Sequence, residues 1–188
     1  FKNYKSYRIN LTKEKDLKKV LRLVKKIKPS IVIDFASICM VNESWIYPEK
    51  YFDLNVKCKS YLFKKLFELK YIKKVIYIST PEVFGSNNKF IKESNSNYAP
   101  STPYATSKMA AEVIIKNYND SIKKKGIIAR FSNFYGPGQP NYRLIPKLLM
   151  SLKNNQRFPL HGKGNSIRNF LYSDDFSEGI LKIILYGK

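Results

Sequence analysis

The feature that most constrains the fold is a regular alternation of amphipathic helical segments with short, uninterrupted apolar runs. Residues 14–27 carry apolar side chains at helical spacing with lysines between them, which predicts an amphipathic helix. The run Ile31–Ile33 is bounded by Pro29 and Asp34, as is typical of a short strand buried in a parallel sheet. The same pattern then predicts a helix over about 48–70, a strand at 75–78, a helix at 103–118 and a strand at 127–129. Such alternation predicts a parallel α/β sheet with right-handed crossovers.

The pattern changes after Tyr135, where a smaller C-terminal region begins. A helix is predicted near 143–154, followed by short strands around 158–160 and 166–172. We expect this region to pack on the carboxyl edge of the sheet, where open α/β sheets bind their ligands. We therefore divide the chain into a sheet domain over residues 1–137 and a ligand-binding region over residues 138–188.

Composition excludes several classes of protein. The chain has 188 residues, 44% of them hydrophobic, which suits one globular domain. Two cysteines and the single histidine, His161, are too few for a disulfide framework or a His/Cys zinc site, so we expect no metal. No apolar stretch approaches the roughly 20 residues of a membrane span, and the first residues lack a signal-peptide pattern. We expect a cytoplasmic protein without a membrane segment.

The net charge of +21 is the most prominent bulk property. A basic domain can bind nucleic acid electrostatically, and a non-catalytic protein that binds nucleic acid or a partner remains an alternative. The lysines, however, are scattered along the whole chain, mostly in pairs beside apolar residues, as on solvated helix faces. We interpret the charge as lysines on solvated helix faces, with attraction of an anionic substrate as a milder consequence.

Candidate chemistry begins with Tyr104 and Lys108, which lie four residues apart on a predicted helix and hence on one face of it. A free tyrosine has a pKa of about 10, too high for a base at neutral pH. A cation about 6 Å away, at an effective dielectric near 20, contributes roughly 3 kcal/mol, which lowers the phenol pKa by about two units. The spacing therefore suits an acid-base pair; the alternative is an exposed tyrosine and lysine on an ordinary helix.

Thr80 and Glu82 follow the predicted strand 75–78 and so stand at the carboxyl end of the sheet. A threonine hydroxyl there can hydrogen-bond the substrate oxygen that Tyr104 protonates or deprotonates. The Glu82 carboxylate offers a second proton transfer, unless it is only a solvated loop residue.

Together these residues resemble the extended short-chain dehydrogenase/reductase family, and within it the NAD-dependent sugar-nucleotide epimerases and dehydratases. Six runs in the family's order carry the resemblance: Ile31–Ser37, Ser79–Gly85, Pro100–Lys108, Arg130–Pro137, Leu144–Pro146 and His161–Asp175. The resemblance implies a Rossmann-like, doubly wound parallel sheet. It also implies an NAD-binding domain over residues 1–137 and a sugar-nucleotide-binding region over residues 138–188.

The resemblance implies that NAD contacts several segments of the chain. Asn10 and Leu11 correspond to the pair that flanks the adenine, although the family usually has Asp where Asn10 stands. Phe35, Ala36 and Ser37 correspond to the strand-end segment that runs beside the nicotinamide.

The resemblance assigns further roles to side chains that lie later in the sequence. Asn55 corresponds to the helix asparagine that orders Lys108 through water, and Lys108 and Tyr104 are implied to contact the cofactor themselves. Asn133 corresponds to a residue that meets the substrate's phosphates. Arg168 corresponds to one that grips the diphosphate, a task that suits the planar guanidinium fork. The implied substrate is a nucleotide-diphosphate sugar.

The implied reaction passes through a 4-keto sugar. NAD takes a hydride from C4 while Tyr104 removes the hydroxyl proton. Glu82 then removes the acidified C5 proton so that the 6-hydroxyl leaves, and hydride return at C6 completes a 4,6-dehydration. A 4-epimerase or decarboxylase of the same family is the alternative. The family also implies a homodimer, formed through helices such as 103–118.

The sequence departs from the family in two places. Pro81 stands where the 4,6-dehydratases carry an aspartic acid that protonates the departing water, and proline has no proton to give. No glycine precedes Gly85, so the glycine-rich turn that holds the cofactor's pyrophosphate is missing. We expect the chain to be truncated at its N-terminus. Alternatively, the missing half was lost and the remainder does not bind NAD.

Overall fold

A computed structural model describes residues 4–86, 90–94, 97–123, 126–159, 164–165 and 167–187. The chain forms two compact units: the first ends at Arg130 and the second runs from Phe131 to Gly187. The sequence boundary after residue 137 divides the chain by function instead, and it stays a prediction.

A three-stranded parallel sheet forms the centre of the first unit. Its strands are β1 (Ile31–Asp34), β2 (Lys74–Ser79) and β3 (Gly126–Arg130), in the order β1-β2-β3. Asp34 is in register with Tyr77 on the middle strand. The parallel α/β sheet predicted from the alternation is confirmed.

Helix α1 (Glu14–Ile27) has the bounds that its apolar periodicity predicts. Leu17 and Leu21 are buried on its inner face. The helix ends at Lys28, whose left-handed φ of 52° lets its N–H bond the Val24 carbonyl oxygen.

The segment predicted as one helix over about 48–70 is a helix with an irregular middle. A short helix α2 (Val41–Ile46) precedes it; α3 (Pro48–Phe52) then continues through a π-helical turn (Asp53–Cys58) into α4 (Lys59–Phe67). An apolar spacing of 3.6 residues per turn does not distinguish an α-helix from one that contains a π turn, whose hydrogen bonds span five residues. Such turns are frequent at functional sites.

The longest helix is α5 (Pro103–Ile122). Thr102 is its N-cap, as predicted, and accepts a 3.0 Å hydrogen bond from the Ala105 N–H. The main core lies where α1, α4 and α5 meet strand β2. Its buried members are Leu17, Leu21, Leu62, Phe63, Leu66, Phe67, Val75, Tyr77, Ala111 and Ile115.

The second unit contains two short parallel strands, β4 (Asn133–Tyr135) and β5 (Phe170–Tyr172), together with helices α6 (Leu144–Lys153) and α7 (Ser173–Tyr186). Phe176 packs its ring 4.5 Å from Phe131 and 4.6 Å from Phe134, measured between ring centroids.

The strand predicted around 158–160 is not seen at Phe158 and Pro159, which lie outside any strand, and Leu160 is outside the described residues. His161, Gly162, Lys163 and Ser166 of the C-terminal motif are also outside the described residues.

Candidate active site

The turn after β2 carries Thr80 and Glu82. Thr80 is buried, and its Oγ1 accepts a 3.3 Å hydrogen bond from the Glu82 N–H, so it caps the 3₁₀ turn Pro81–Phe84. Glu82 is partly exposed. Because the Thr80 oxygen serves as acceptor within the turn, its own hydroxyl hydrogen can be directed to a substrate oxygen.

A glycine closes this turn. Gly85 has a φ of +66°, and an added Cβ would overlap the Ala99 carbonyl oxygen. The Ala99 N–H also bonds the Val83 carbonyl oxygen at 3.0 Å. The turn that carries Thr80 and Glu82 is therefore held against the segment before α5.

Lys108 is fixed at the carboxyl end of β2. Its Nζ donates a 2.6 Å hydrogen bond to the Ile78 carbonyl oxygen and a 3.4 Å bond to Ser37 Oγ, and it lies 4.3 Å from the centroid of the Tyr77 ring. Burial, opposed by Asp34 and Glu112 and reinforced by the nearby Lys59 cation, lowers the Lys108 pKa to about 8. At neutral pH the side chain is still mostly a cation.

Tyr104 lies one turn before Lys108 on α5 and is buried. Its ring packs edge to face against Tyr51, with 6.3 Å between the centroids. The structure thus rules out the alternative of an exposed tyrosine and lysine on an ordinary helix. The lowered pKa predicted for the Tyr104 phenol stays a prediction.

Asn55, in the π turn, joins the three pieces of the site. Its Oδ1 accepts a 3.1 Å hydrogen bond from Ser37 Oγ, and its Nδ2 donates a 3.0 Å bond to Ser107 Oγ. Ser107 in turn donates to the Tyr104 carbonyl oxygen at 2.7 Å. The resemblance implies that a water joins Asn55 to Lys108, and this stays a prediction. The structure also links the two residues through the Ser37 hydroxyl.

Sequence reasoning missed Lys59. This side chain is fully buried, and its Nζ bonds Asp34 Oδ1 at 2.5 Å. The sequence offers one weak signal, which is that Lys59 lies at helical spacing from the apolar Leu62 and Phe63 and so belongs to an inward face. Nothing local in the sequence indicates its partner, which lies 25 residues earlier.

Sequence reasoning also missed a second buried ion pair. The fully buried Glu112 accepts hydrogen bonds from Arg130 and a 2.7 Å bond from the Tyr98 hydroxyl. Burial, followed by the Glu112 hydrogen bond, raises the Tyr98 pKa to about 12. The Tyr98 ring stacks on Phe84 with 5.8 Å between centroids, so this cluster supports the turn that carries Glu82.

The predicted cofactor residues of the N-terminal segments meet only in part. Leu11 and Ala36 line one cavity of about 310 Å³ beside β1, whereas Phe35 is exposed at the strand end. The Asn10 side chain accepts hydrogen bonds from the backbone N–H and the hydroxyl of Thr12, and so it stabilises the turn before α1.

The predicted phosphate-binding residues lie in the second unit. Asn133 begins β4 and is exposed; it is in register with Phe170, which begins β5. Arg168 is exposed two residues before Phe170. Both side chains therefore belong to the same end of this two-stranded sheet.

Two properties of the described residues bear on other classes of site. In that part of the chain no helix combines the length and apolar character needed to cross a bilayer. The same residues contain no group of three or more His, Cys, Asp or Glu side chains placed to hold a metal ion. The expectation of a metal-free site stays a prediction.

A parallel α/β sheet with a buried Tyr-Lys helix beside a Thr-x-Glu turn defines a protein of the short-chain dehydrogenase/reductase class. The model described as the NAD dependent epimerase/dehydratase family matches residues 2–187, and the chain belongs to that family.

Relatives of this chain are sugar-nucleotide enzymes. The dTDP-D-glucose 4,6-dehydratase of Dictyostelium discoideum is 35% identical over 197 residues, which cover 99% of this chain and 44% of that protein. The human dTDP-D-glucose 4,6-dehydratase is 35% identical over 161 residues, which cover 86% of this chain and 46% of that protein. The chain thus spans less than half the length of these relatives.

Solved structures of sugar-nucleotide enzymes have a similar fold. DesIV, the dTDP-glucose 4,6-dehydratase of Streptomyces venezuelae with NAD bound, superposes with a TM-score of 0.84 at 25% identity, covering 95% of this chain and 54% of that chain. The UDP-N-acetylglucosamine 4-epimerase of Methanobrevibacter ruminantium M1 gives a TM-score of 0.80 at 27% identity, covering 92% and 55%. The predicted Rossmann-like fold is confirmed.

Proposed function

We propose that this chain belongs to an NAD-dependent lyase that dehydrates a nucleotide-diphosphate hexose at C4 and C6 through a 4-keto intermediate. The observation that carries the proposal is the position of Lys108, whose Nζ bonds the Ile78 carbonyl oxygen at 2.6 Å at the very end of β2, just before the turn of Thr80 and Glu82. The relatives named 4,6-dehydratases support the same reaction.

The nicotinamide half of NAD fits the residues that are present. Ala36 and Ser37 offer small side chains where β1 ends, and Ala36 lines one cavity together with Leu11. Tyr104 and Lys108 would hold the nicotinamide ribose, with Asn55 fixing Ser37 beside Lys108. Phe35 extends the same strand end. Asn10 would act through its turn, since its side chain already binds Thr12.

The first chemical step is proton transfer at the C4 hydroxyl. NAD, when bound, supplies an acceptor for the C4 hydride and later returns it. The Tyr104 phenolate accepts the C4 hydroxyl proton while Thr80 donates its hydroxyl hydrogen to the same oxygen. Lys108, as a cation, favours the phenolate over the neutral phenol. The products of this step are a neutral Tyr104 and a 4-keto sugar.

The second step is elimination across C5 and C6. The 4-keto group acidifies the C5 proton, and the Glu82 carboxylate accepts it. The C6–O bond then breaks, and the departing hydroxide needs a proton to leave as water. Pro81 cannot supply that proton, so Glu82 gives it the proton that it took from C5. When the hydride returns to C6, C5 takes up a proton from solvent through Glu82, and the neutral Tyr104 releases the C4 hydroxyl proton to solvent, so both side chains end the cycle as they began.

Pro81 is also the observation that favours a second candidate, a 4-epimerase. Pro81 occupies the first position of the 3₁₀ turn and offers no proton donor beside Glu82. An epimerase needs only Tyr104, Lys108 and Thr80, since the hydride returns to C4 from the opposite face of the sugar. Decarboxylation of a sugar acid through the same 4-keto intermediate is the remaining variant of this chemistry.

Mass spectrometry of the full-length protein with a panel of nucleotide sugars tests the proposal. Loss of water supports 4,6-dehydration, loss of carbon dioxide supports decarboxylation, and an unchanged mass with an altered C4 configuration supports epimerisation.

Glu82→Gln is expected to lower water loss by about 100-fold or more, in line with the loss of an acid-base group, while leaving C4 oxidation intact. Glu93→Gln, which changes an exposed carboxylate elsewhere, is the matched control. Unaltered dehydration by Glu82→Gln would sink the elimination role.

We propose in addition that Asn133 and Arg168 bind the substrate's diphosphate. The support is that both residues lie at one end of the two-stranded sheet, that both are exposed, and that an arginine side chain offers a planar fork of donors. We propose a cytoplasmic homodimer as the working state. Tyr61 on α4 and Val113 on α5 support the dimer, because these neighbouring helices leave both side chains well exposed. Sedimentation velocity of the full-length protein measures the assembly.

A further inference from the structure

Asp34 and Lys59 form an ion pair that is almost wholly removed from solvent, since their side chains are 5% and 0% exposed. Asp34 Oδ1 accepts hydrogen bonds from Lys59 Nζ and, at 3.1 Å, from the Ala36 N–H. The second carboxylate oxygen of Asp34 is buried and has no hydrogen-bond partner among the described residues. Taking two charges out of water is expensive, and a well-packed apolar pair of the same size is often no less stable. Stability alone therefore does not explain the pair.

The ion pair is connected to Lys108 through two neighbouring residues, Tyr77 and Ser37. Asp34 is the last residue of β1 and is in register with Tyr77, whose ring lies under the Lys108 ammonium. By binding the Ala36 N–H, Asp34 also fixes the turn that leads to Ser37, and Ser37 Oγ is the second acceptor for Lys108.

Lys59 fixes the same turn from the helix side. Lys59 is the first residue of α4 and follows Asn55 by one turn. The irregular helix therefore bonds the end of β1 and the turn after it at two points. One is the Lys59–Asp34 pair and the other is the bond between Asn55 and Ser37.

We propose that Asp34 and Lys59 are positioning residues for Lys108, which hold its Ser37 acceptor in place and set the balance of charge behind its ammonium. The proposal rests on the proposed function only in that Lys108 assists the chemistry there. Neither residue needs to touch the sugar or the cofactor.

The charged and titratable groups around Lys108 come from every neighbouring element. Burial acts first and lowers the Lys108 pKa; Asp34 from β1 and Glu112 from α5 raise it, Lys59 from α4 lowers it, and Cys39 raises it slightly. Asp34 and Lys59 act on the Lys108 pKa with opposite signs. Removing the Asp34 charge alone must therefore lower the Lys108 pKa, and removing the Lys59 charge alone must raise it. A pair that only fills space has no such signature.

The test measures the Lys108 pKa directly by NMR in full-length protein carrying ¹⁵N- and ¹³C-labelled lysine, with the Lys108 signal identified by its loss in Lys108→Met. Asp34→Asn is expected to lower the Lys108 pKa by about one pH unit, and Lys59→Met to raise it by a similar amount. The double variant is expected to return close to the wild type. Lys65→Met, which removes an exposed ion pair on the same helix, is the control and leaves the Lys108 pKa unchanged.

Shifts in the same direction, or no shift in either variant, overturn the proposal. One folded single variant is sufficient, because each has its own required sign. The titration needs no turnover, so its result stands apart from that of the nucleotide-sugar panel. Where the wild type does dehydrate a nucleotide sugar, the alkaline limb of its kcat profile is expected to move with the NMR pKa in each variant.

Discussion

At the scale of single residues, the most consequential property is the lowered pKa of Lys108. With a pKa of about 8, the side chain is mostly charged at neutral pH but loses its charge well below the ordinary lysine value of 10.5. The assistance that it can give to the Tyr104 phenolate is therefore confined to pH values below about 8. A sequence argument that treats the lysine as a permanent cation overstates this range.

The same burial makes Lys108 a destabilising residue. Because its folded-state pKa lies below the unfolded value, the charged form is penalised by burial by roughly 3 kcal/mol below about pH 8, and the penalty falls as the pH rises toward 10.5. Lys108→Met is expected to abolish C4 oxidation without lowering the free energy of unfolding at pH 7, and to raise it by up to about 2 kcal/mol once the lost bond to Ile78 is counted.

Urea unfolding of wild type and Lys108→Met at several pH values measures this effect. Any advantage of the variant should shrink between about pH 8 and pH 10.5, since the wild type then sheds its penalty. A variant that is less stable than the wild type at pH 7 contradicts the argument. Such a loss would mean that the bonds of Lys108 outweigh the cost of burying its charge.

What sequence could predict at this scale was set by local spacing. Tyr104 and Lys108 lie four residues apart on a helix, and Thr80 and Glu82 directly follow a strand. Each pair can therefore be predicted from the sequence without tertiary structure. Lys59 was not predicted because only the packed fold brings it to Asp34.

At the scale of elements, the 3₁₀ turn that follows β2 depends on the glycine that ends it. Gly85 combines φ of +66° with ψ of −160°, a region open almost only to glycine. Gly85→Ala is expected to lower the free energy of unfolding by about 3 kcal/mol, because the unfavourable φ adds to overlap between the new Cβ and the Ala99 carbonyl oxygen. Thermal or urea unfolding of the purified variant measures the loss.

Gly138 is a matched control for Gly85. It also has a positive φ, of +79°, but an added Cβ would meet nothing within 4 Å. Gly138→Ala is therefore expected to cost about 1 kcal/mol, the backbone contribution alone. Equal losses in the two variants would show that the contact with Ala99 does not hold the turn.

Helices and strands were predicted well where their side chains followed a regular period. Helix α1 was predicted with its observed bounds, because lysines separate its apolar positions at a spacing of 3.6 residues. The π turn at Asp53–Cys58 was not predicted, since its sequence fits an ordinary helix and the tertiary bonds of Asn55 leave no mark on the local spacing. The strand expected near Phe158 failed because short apolar runs without flanking structure are ambiguous.

At the scale of the whole molecule, charge is the dominant property. The chain has 35 lysines and arginines but 14 acidic residues, so the acidic residues are too few to pair with the cations one to one. The exposed ion pairs among the described residues are Lys18–Glu14, Lys57–Asp53, Lys65–Glu68 and Lys182–Glu178. Exposed pairs of this kind contribute little to stability. The sequence alone predicts the excess of charge but not which cations lie inside, as Lys59 does.

An excess of +21 implies self-repulsion within the folded chain, and salt should relieve it. The free energy of unfolding is expected to rise by about 1 to 2 kcal/mol as sodium chloride is raised from about 0.01 M to about 0.15 M, over which the screening length falls from about 30 Å to about 8 Å. Lys15→Glu with Lys19→Glu on the exposed face of α1 is the matched variant. It lowers the net charge from +21 to +17, because each change removes two units, and its stability should depend less on salt. Equal salt dependence in the two proteins would show that the excess charge is too dispersed to affect folding. In that case the basic surface matters only for what it attracts, and retention on DNA with a steep salt dependence would then favour the alternative of a nucleic-acid-binding protein.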